Sequence, residues 1–254
     1  MDVISNSAAR YVRMREEEMS LDEYLALCQR DPMAYASAAQ RMLMVIGEPE
    51  MVDTRNDPLL SRLFANKVIR RYPAFSEFYG MEDAIEQVVS FFRHAAQGLE
   101  ERKQILYLLG PVGGGKSSIA ERLKYLMQKG PFFALKGSPV NESPLGLFDM
   151  VEDGPVLEEE FGIPRRSLQH VLSPWAVKRL EEFGGDIRQF RVVKRYPSIL
   201  KQIGIAKTEP GDENNQDISS LVGKVDIRKL ENFSQDDTDA YSYSGGLCLA
   251  NQGL

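Results

Sequence analysis

Cysteine and histidine are nearly missing from this chain. Two cysteines, Cys28 and Cys248, stand near opposite ends, too few for a disulfide scaffold and better matched to a reducing cytosol. With only two histidines, His94 and His170, no zinc site of recognisable spacing can be assembled. Long hydrophobic runs are missing as well. The most apolar one, Ile105 to Val112, is broken by Gly110 and Pro111, whereas a membrane span needs about 20 apolar residues. Arg10, Arg13 and Arg15 followed by Glu16, Glu17 and Glu18, with no apolar centre, read against a signal peptide. An excess of positive charge is absent too, since 31 basic against 37 acidic side chains leave a net charge of −6. Neither nucleic acid nor membrane is an expected partner, and a cytoplasmic protein is expected.

What is present begins with helix signals. Ser20 and Glu23 are spaced as a capping box ahead of Tyr24, Leu25 and Leu27. Asp31-Pro32 and Asp57-Pro58 each place an N-cap acceptor before a proline at the first helical position. An alanine-rich helix is expected after Pro32, ending at Gly47, and another after Pro58, ending near Tyr72-Pro73. Residues 1–75 therefore read as a helical N-terminal layer. Ala84, Ile85, Val88, Val89 and Phe92 then recur at helical spacing up to Gly98. Ile105 to Leu109, five apolar residues in a row, predicts a strand buried on both faces. Pro131 to Leu135 and Phe190 to Tyr196 predict further strands, and Ser173-Pro174 opens a short helix closed by Gly184-Gly185.

Between the first of these strands and a helix carrying Ile119, Leu123, Leu126 and Met127 stands Gly110-Pro-Val-Gly-Gly-Gly-Lys-Ser117. It matches G-x-x-x-x-G-K-[ST] in full, a pattern expected by chance about 0.01 times in a chain of this length. Glycines let several backbone N–H groups converge on one anion, and the following helix adds its positive end. Lys116 brings a compact cation to the β- and γ-phosphates and is the candidate catalytic residue; the Ser117 hydroxyl is the candidate Mg²⁺ ligand. The nucleotide-binding set is Gly110, Pro111, Val112, Gly113, Gly114, Gly115, Lys116, Ser117 and Ser118, with ATP and Mg²⁺ as cofactors. The expected fold is α/β, a P-loop nucleotide-binding domain over residues 76–254 with a long insert at about 137–245.

Hydrolysis also needs an apolar strand ending in an acid. Two segments downstream come near and fail: Leu145-Gly-Leu-Phe-Asp149 is broken by Gly146, and Val222-Gly-Lys-Val-Asp226 is too polar. The P-loop domain is therefore expected to be incomplete, truncated at its C-terminal side before its catalytic acid. The four protein-kinase signatures, a G-x-G-x-x-G loop, a strand lysine, H-R-D and D-F-G, are absent.

Phe78-Tyr-Gly-Met-Glu-Asp-Ala-Ile85 resembles the segment leading into AAA-type ATPase domains, and there Tyr79 and Gly80 would touch adenine. Further stretches narrow the likeness. They include Ile46-Gly-Glu-Pro49, Leu60-Ser-Arg-Leu-Phe64, Arg71-Tyr-Pro-Ala-Phe75, Tyr107 to Ser118, Ser173-Pro-Trp175, Phe183-Gly-Gly-Asp186, Ala206 to Asp217 and Leu221 to Leu230. Over nearly its whole length the chain resembles the N-terminal AAA-type ATP-binding region of the bacterial PrkA-type serine protein kinases. That resemblance implies ATP binding, a protein serine as phosphate acceptor, and room for a homo-oligomer. Two other readings stand beside it: an AAA-type ATPase that remodels or degrades proteins, and a catalytically inactive nucleotide-binding fragment.

Smaller features read as structural. Asp212 to Asp217 lacks the glycine and glutamate of a Ca²⁺ loop. Arg188, Arg191, Lys194, Arg195 and Lys201 read as a charged outer face, Trp175 as a core anchor, and Cys28 as an inert buried thiol.

Overall fold

The computed structural model describes residues 16–168, 171–208 and 218–254. The Ca²⁺-loop candidate, His170 and the N-terminal arginines lie outside them. In chain order the first elements are β1 (Glu17–Ser20), α1 (Leu21–Arg30), α2 (Ala38–Ile46), β2 (Glu50–Asp53), α3 (Pro58–Phe64) and β3 (Val68–Arg71). Then come α4 (Glu82–Ala96), α5 (Lys116–Met127), β4 (Phe132–Leu135), α6 (Gly154–Phe161), α7 (Pro174–Glu182) and β5 (Arg191–Arg195). Four short elements follow: α8 (Ser219–Val222), β6 (Lys224–Val225), β7 (Tyr241–Ser242) and α9 (Gly246–Leu249). The described residues form two compact units, one of residues 37–130 and one of the described residues before 37 and after 130.

In the second of these units, β5 is the centre of an antiparallel three-stranded sheet of order β1-β5-β4. Glu17 pairs with Lys194 and Phe132 with Arg195. All of β4 is buried, because its side chains alternate between two covered faces. Phe133 joins Tyr24, Leu25, Cys28, Leu145, Leu157 and Val192 on one side, and Phe132, Ala134 and Val193 meet on the other. α1 starts where its capping box predicts: Ser20 Oγ accepts from the Glu23 N–H at 3.2 Å, and Glu23 Oε2 accepts from the Ser20 N–H at 2.7 Å. Ser173 caps α7, and Trp175 packs against the Leu135, Ala176 and Phe190 cluster.

The unit of residues 37–130 holds the glycine-rich segment. Its core comes from Met42 and Ile46 of α2, Ile85, Val88, Val89 and Phe92 of α4, and Ile119, Leu123, Leu126 and Met127 of α5. The α4 and α5 positions are those the sequence marks out at helical spacing, except that Ala84 is exposed. The N-terminal region is not wholly helical. Asp31-Pro32 opens only a single 3-10 turn, Pro32–Tyr35, and a second capping box, Ser37 with Gln40, starts α2. α3 stops at Phe64, because Ala65 and Asn66 turn left-handed (φ 49° and 62°), and the chain continues as β3. β3 pairs antiparallel with β2, Asp53 opposite Val68.

A larger correction concerns Ile105 to Leu109. The segment has no regular secondary structure and joins no ladder among the described residues, and Ile105, Tyr107 and Leu109 are 90%, 78% and 83% exposed. Apolar sequence alone does not bury a strand; a neighbour must supply hydrogen bonds and a covering surface.

Candidate functional site

The candidate site grows from the start of α5. Its N-cap is Gly115, left-handed at φ 75°, and Gly113 is left-handed at φ 79°. An L side chain rarely adopts this backbone, so glycine is what lets the chain reverse twice before the helix begins. Space is also short. A Cβ on Gly114 would stand 3.0 Å from the Pro111 carbonyl oxygen, and one on Gly115 would stand 2.9 Å from Met81 Sδ. The Gly114 N–H donates to that Pro111 oxygen at 3.2 Å, closing the turn. Gly115 has no side chain to cap α5, so the first N–H groups of the helix are left without an intrahelical partner.

Lys116 is the first residue of α5. Its Nζ donates to the Gly110 carbonyl at 2.7 Å and to the Pro111 carbonyl at 2.6 Å, so the ammonium lies back over its own loop. Ser117 and Ser118 face a different space, an open groove of about 860 Å³ that they share with Gly115, Phe78, Tyr79 and Met81. The structure thus brings Tyr79, Gly115, Ser117 and Ser118 around one groove. Gly80, at φ 75°, does not line it, and neither do Gly110 to Gly114 or Lys116. Tyr79 is 86% exposed and also borders a smaller cavity of about 240 Å³ beside Tyr72 and Phe75.

Six groove residues escape a motif-based reading: Glu77, Phe78, Met81, Glu121, Arg122 and Tyr125. Met81 packs its sulfur against Gly115, and the only sequence signal is its place between Tyr79-Gly80 and the start of α4. Arg122 and Tyr125 follow Ser118 at four- and seven-residue spacing, so they share its helix face. Arg122 Nε donates to the Ala74 carbonyl at 2.7 Å, its Nη1 stands 3.4 Å from Glu77 Oε1, and its guanidinium lies over the Tyr125 ring.

Beneath the smaller cavity, Tyr72 donates to Glu86 Oε2 at 2.6 Å and Arg70 donates to Glu86 Oε1 at 2.6 Å, while Arg93 donates to the Tyr72 oxygen at 3.1 Å. Partial burial works to raise the Glu86 pKa, but the hydrogen bonds from Tyr72 and Arg70 outweigh it and hold the carboxyl below its ordinary value. The two acid candidates remain structural. Asp149 caps a turn by accepting from the N–H groups of Val151 and Glu152, and Asp226 accepts from that of Arg228. β4 runs into Lys136 and β5 into Tyr196, so neither strand ends in an acid.

The arrangement fits an anion and its counter-ion. Backbone N–H groups at the start of α5, the Lys116 ammonium and the Ser117 hydroxyl belong to one short segment, the ammonium over the loop and the hydroxyl on the groove, and missing Cβ atoms keep the loop tight. Among known proteins, the PrkA AAA domain matches residues 19–254. The serine/threonine kinase YeaG of Escherichia coli K12 is 66% identical over 258 residues, which covers 100% of this chain and 40% of that protein. The ATP-dependent protease PrkA of Bacillus subtilis 168 is 34% identical over 262 residues, 95% of this chain and 38% of that protein. The chain therefore spans about two fifths of the length of these curated relatives. No solved structure matches it significantly. With residues 19–254 matched, this mixed α/β chain belongs to the PrkA AAA domain family.

Proposed function

We infer that residues 76–254 bind ATP with Mg²⁺, as the N-terminal nucleotide-binding module of a serine protein kinase. The observation that carries this is the double left-handed glycine turn feeding α5, with Lys116 at its first position. The phosphates would lie on Gly110, Pro111, Val112, Gly113, Gly114, Gly115, Lys116, Ser117 and Ser118, with Tyr79 and Gly80 toward the base. Lys116 would leave the two carbonyls it now holds for the β- and γ-phosphate oxygens and stabilise the charge that develops there. Ser117 would hold Mg²⁺, which neutralises phosphate charge when bound. In the transfer, the acceptor serine oxygen bonds to the γ-phosphorus while the bridging P–O bond breaks and ADP leaves. The serine's proton needs an acceptor, and the described residues offer no strand-end acid. Binding is thus the part assigned to this chain, and transfer belongs to the longer protein. The ATP supply fits a cytoplasmic location.

A second reading has support of its own, the ATP-dependent protease name of the Bacillus relative. There the nucleotide would drive protein remodelling or cleavage. Two experiments separate these readings. ATP affinity is first compared between the wild type and Lys116→Ala; equal affinity removes the phosphate-binding assignment. The longer protein is then given ATP labelled at the γ-phosphate. Label on a protein serine supports the kinase reading, and label only in free phosphate supports the ATPase.

A further inference from the structure

The thioether of Met81 lies where a side chain on Gly115 would be. A Cβ on Gly115 would sit 2.9 Å from Met81 Sδ and 3.0 Å from its Cε. Met81 is held in that place by its own helix, since its carbonyl accepts the first α4 bond from the Ile85 N–H at 2.9 Å. It is half-buried and lines the open groove alongside Ser117, so a small oxidant can reach the sulfur. Gly115, against which it rests, is the N-cap of α5, whose first N–H groups have no side-chain cap and sit at the positive end of the helix. A thioether is a weak acceptor and does not compete for them. A sulfoxide is strongly polar.

We propose that Met81 is an oxidation site that closes the phosphate loop, its sulfoxide oxygen accepting from the N–H groups that would otherwise face an anion. The reaction is a two-electron oxidation by hydrogen peroxide. A sulfur lone pair bonds to one peroxide oxygen, the O–O bond breaks, and the other oxygen leaves as water; sulfur is oxidised and peroxide reduced. The oxidised side chain then occupies the helix start from inside the protein and blocks it. Met42 and Met127 of the same unit are fully buried, whereas Met44 and Met51 are exposed and open to peroxide but do not line the groove. The proposal rests on the loop being the phosphate site, and its test is built so that the two can fail separately.

The full chain and its Met81→Leu variant are each treated with hydrogen peroxide and compared with their own untreated samples. Peptide mass reports oxidation at Met81, amide hydrogen exchange reports residues 113–118, and a titration reports ATP affinity. The expected result is a Met81 sulfoxide, slowed exchange at 113–118 and an affinity lower by about tenfold, the equivalent of one hydrogen bond. A methionine sulfoxide reductase should reverse all three, and peroxide should leave exchange and affinity of Met81→Leu at their untreated values. Met81 left unoxidised, unchanged exchange at 113–118 after its oxidation, or an equal loss in Met81→Leu would each overturn the proposal. If untreated chain binds no ATP, the phosphate reading fails, and the exchange measurement still decides the switch.

Discussion

Lys116 Nζ stands 2.7 Å from the Gly110 carbonyl oxygen, so the cation of the loop is bonded to the loop's own first residue. Gly110 is exposed and Lys116 half-buried at the surface, and the bond is made in competition with water. Lys116→Ala should therefore leave folding stability within about 0.5 kcal/mol of wild type in urea titrations. ATP affinity should fall by roughly 10- to 100-fold, the worth of a charge-assisted hydrogen bond. A large loss of stability would mean that the lysine holds the loop together rather than waiting for a ligand.

Gly113 and Gly115 have nearly the same φ but different surroundings. A Cβ on Gly113 meets nothing within 4 Å, whereas one on Gly115 meets Met81 Sδ at 2.9 Å. Alanine at either site should cost about 1–2 kcal/mol for the left-handed backbone. Gly115→Ala should cost more than Gly113→Ala, because Met81 must also move. Urea midpoints at constant slope measure the difference, and equal costs would show that Met81 gives way freely.

Glu86 should make the stability of its unit depend on pH. Its folded pKa lies below the ordinary 4.5, so its contribution is fully present above that value and fades as pH falls through the lowered one. Glu86→Gln should therefore destabilise at pH 7, by about 1 kcal/mol after allowing for its partial exposure. Thermal melts at falling pH should show the gap to wild type closing below the ordinary value. A gap that stays constant in acid would assign the effect to packing.

The two cysteines should differ in reactivity. Burial pushes the Cys28 thiol up to about 12, and burial raises Cys248 as well, though that residue is only partly covered. A thiol-specific reagent at neutral pH should label Cys248 first in the native protein and reach Cys28 only on unfolding. Rapid native labelling of Cys28 would place its helix, α1, outside the stable core.

Amide exchange should set Ile105 to Leu109 apart from Phe132 to Leu135. The first segment has no ladder and should exchange freely in this chain, while β4 should be protected to near the global unfolding free energy. Protection at Ile105 to Leu109 would mean that a partner strand pairs with it.

Much of the local structure was legible in the residues. Ser20 and Glu23 announce the start of α1, Gly47 the end of α2, and Ile119, Leu123, Leu126 and Met127 the inward face of α5. The tight turn at Gly113 and Gly115 is legible for the same reason. Caps, left-handed turns and helix faces are set by chemistry within a few residues of chain, so they can be read along it. Pairing is different. β1 meets β5 across more than 170 residues, β2 and β3 cut into a region whose caps predict helices, and Ile105 to Leu109 reads as a core strand yet stands uncovered. A ladder and a covered face need a distant partner, and apolar alternation does not name one. Met81 against Gly115 belongs to the same class. The sequence by itself determined the glycine-rich turn at the start of α5, with Lys116 and Ser117 following it. Only the tertiary structure decided that a thioether would sit against that turn, because residues 34 positions apart meet only through helix packing.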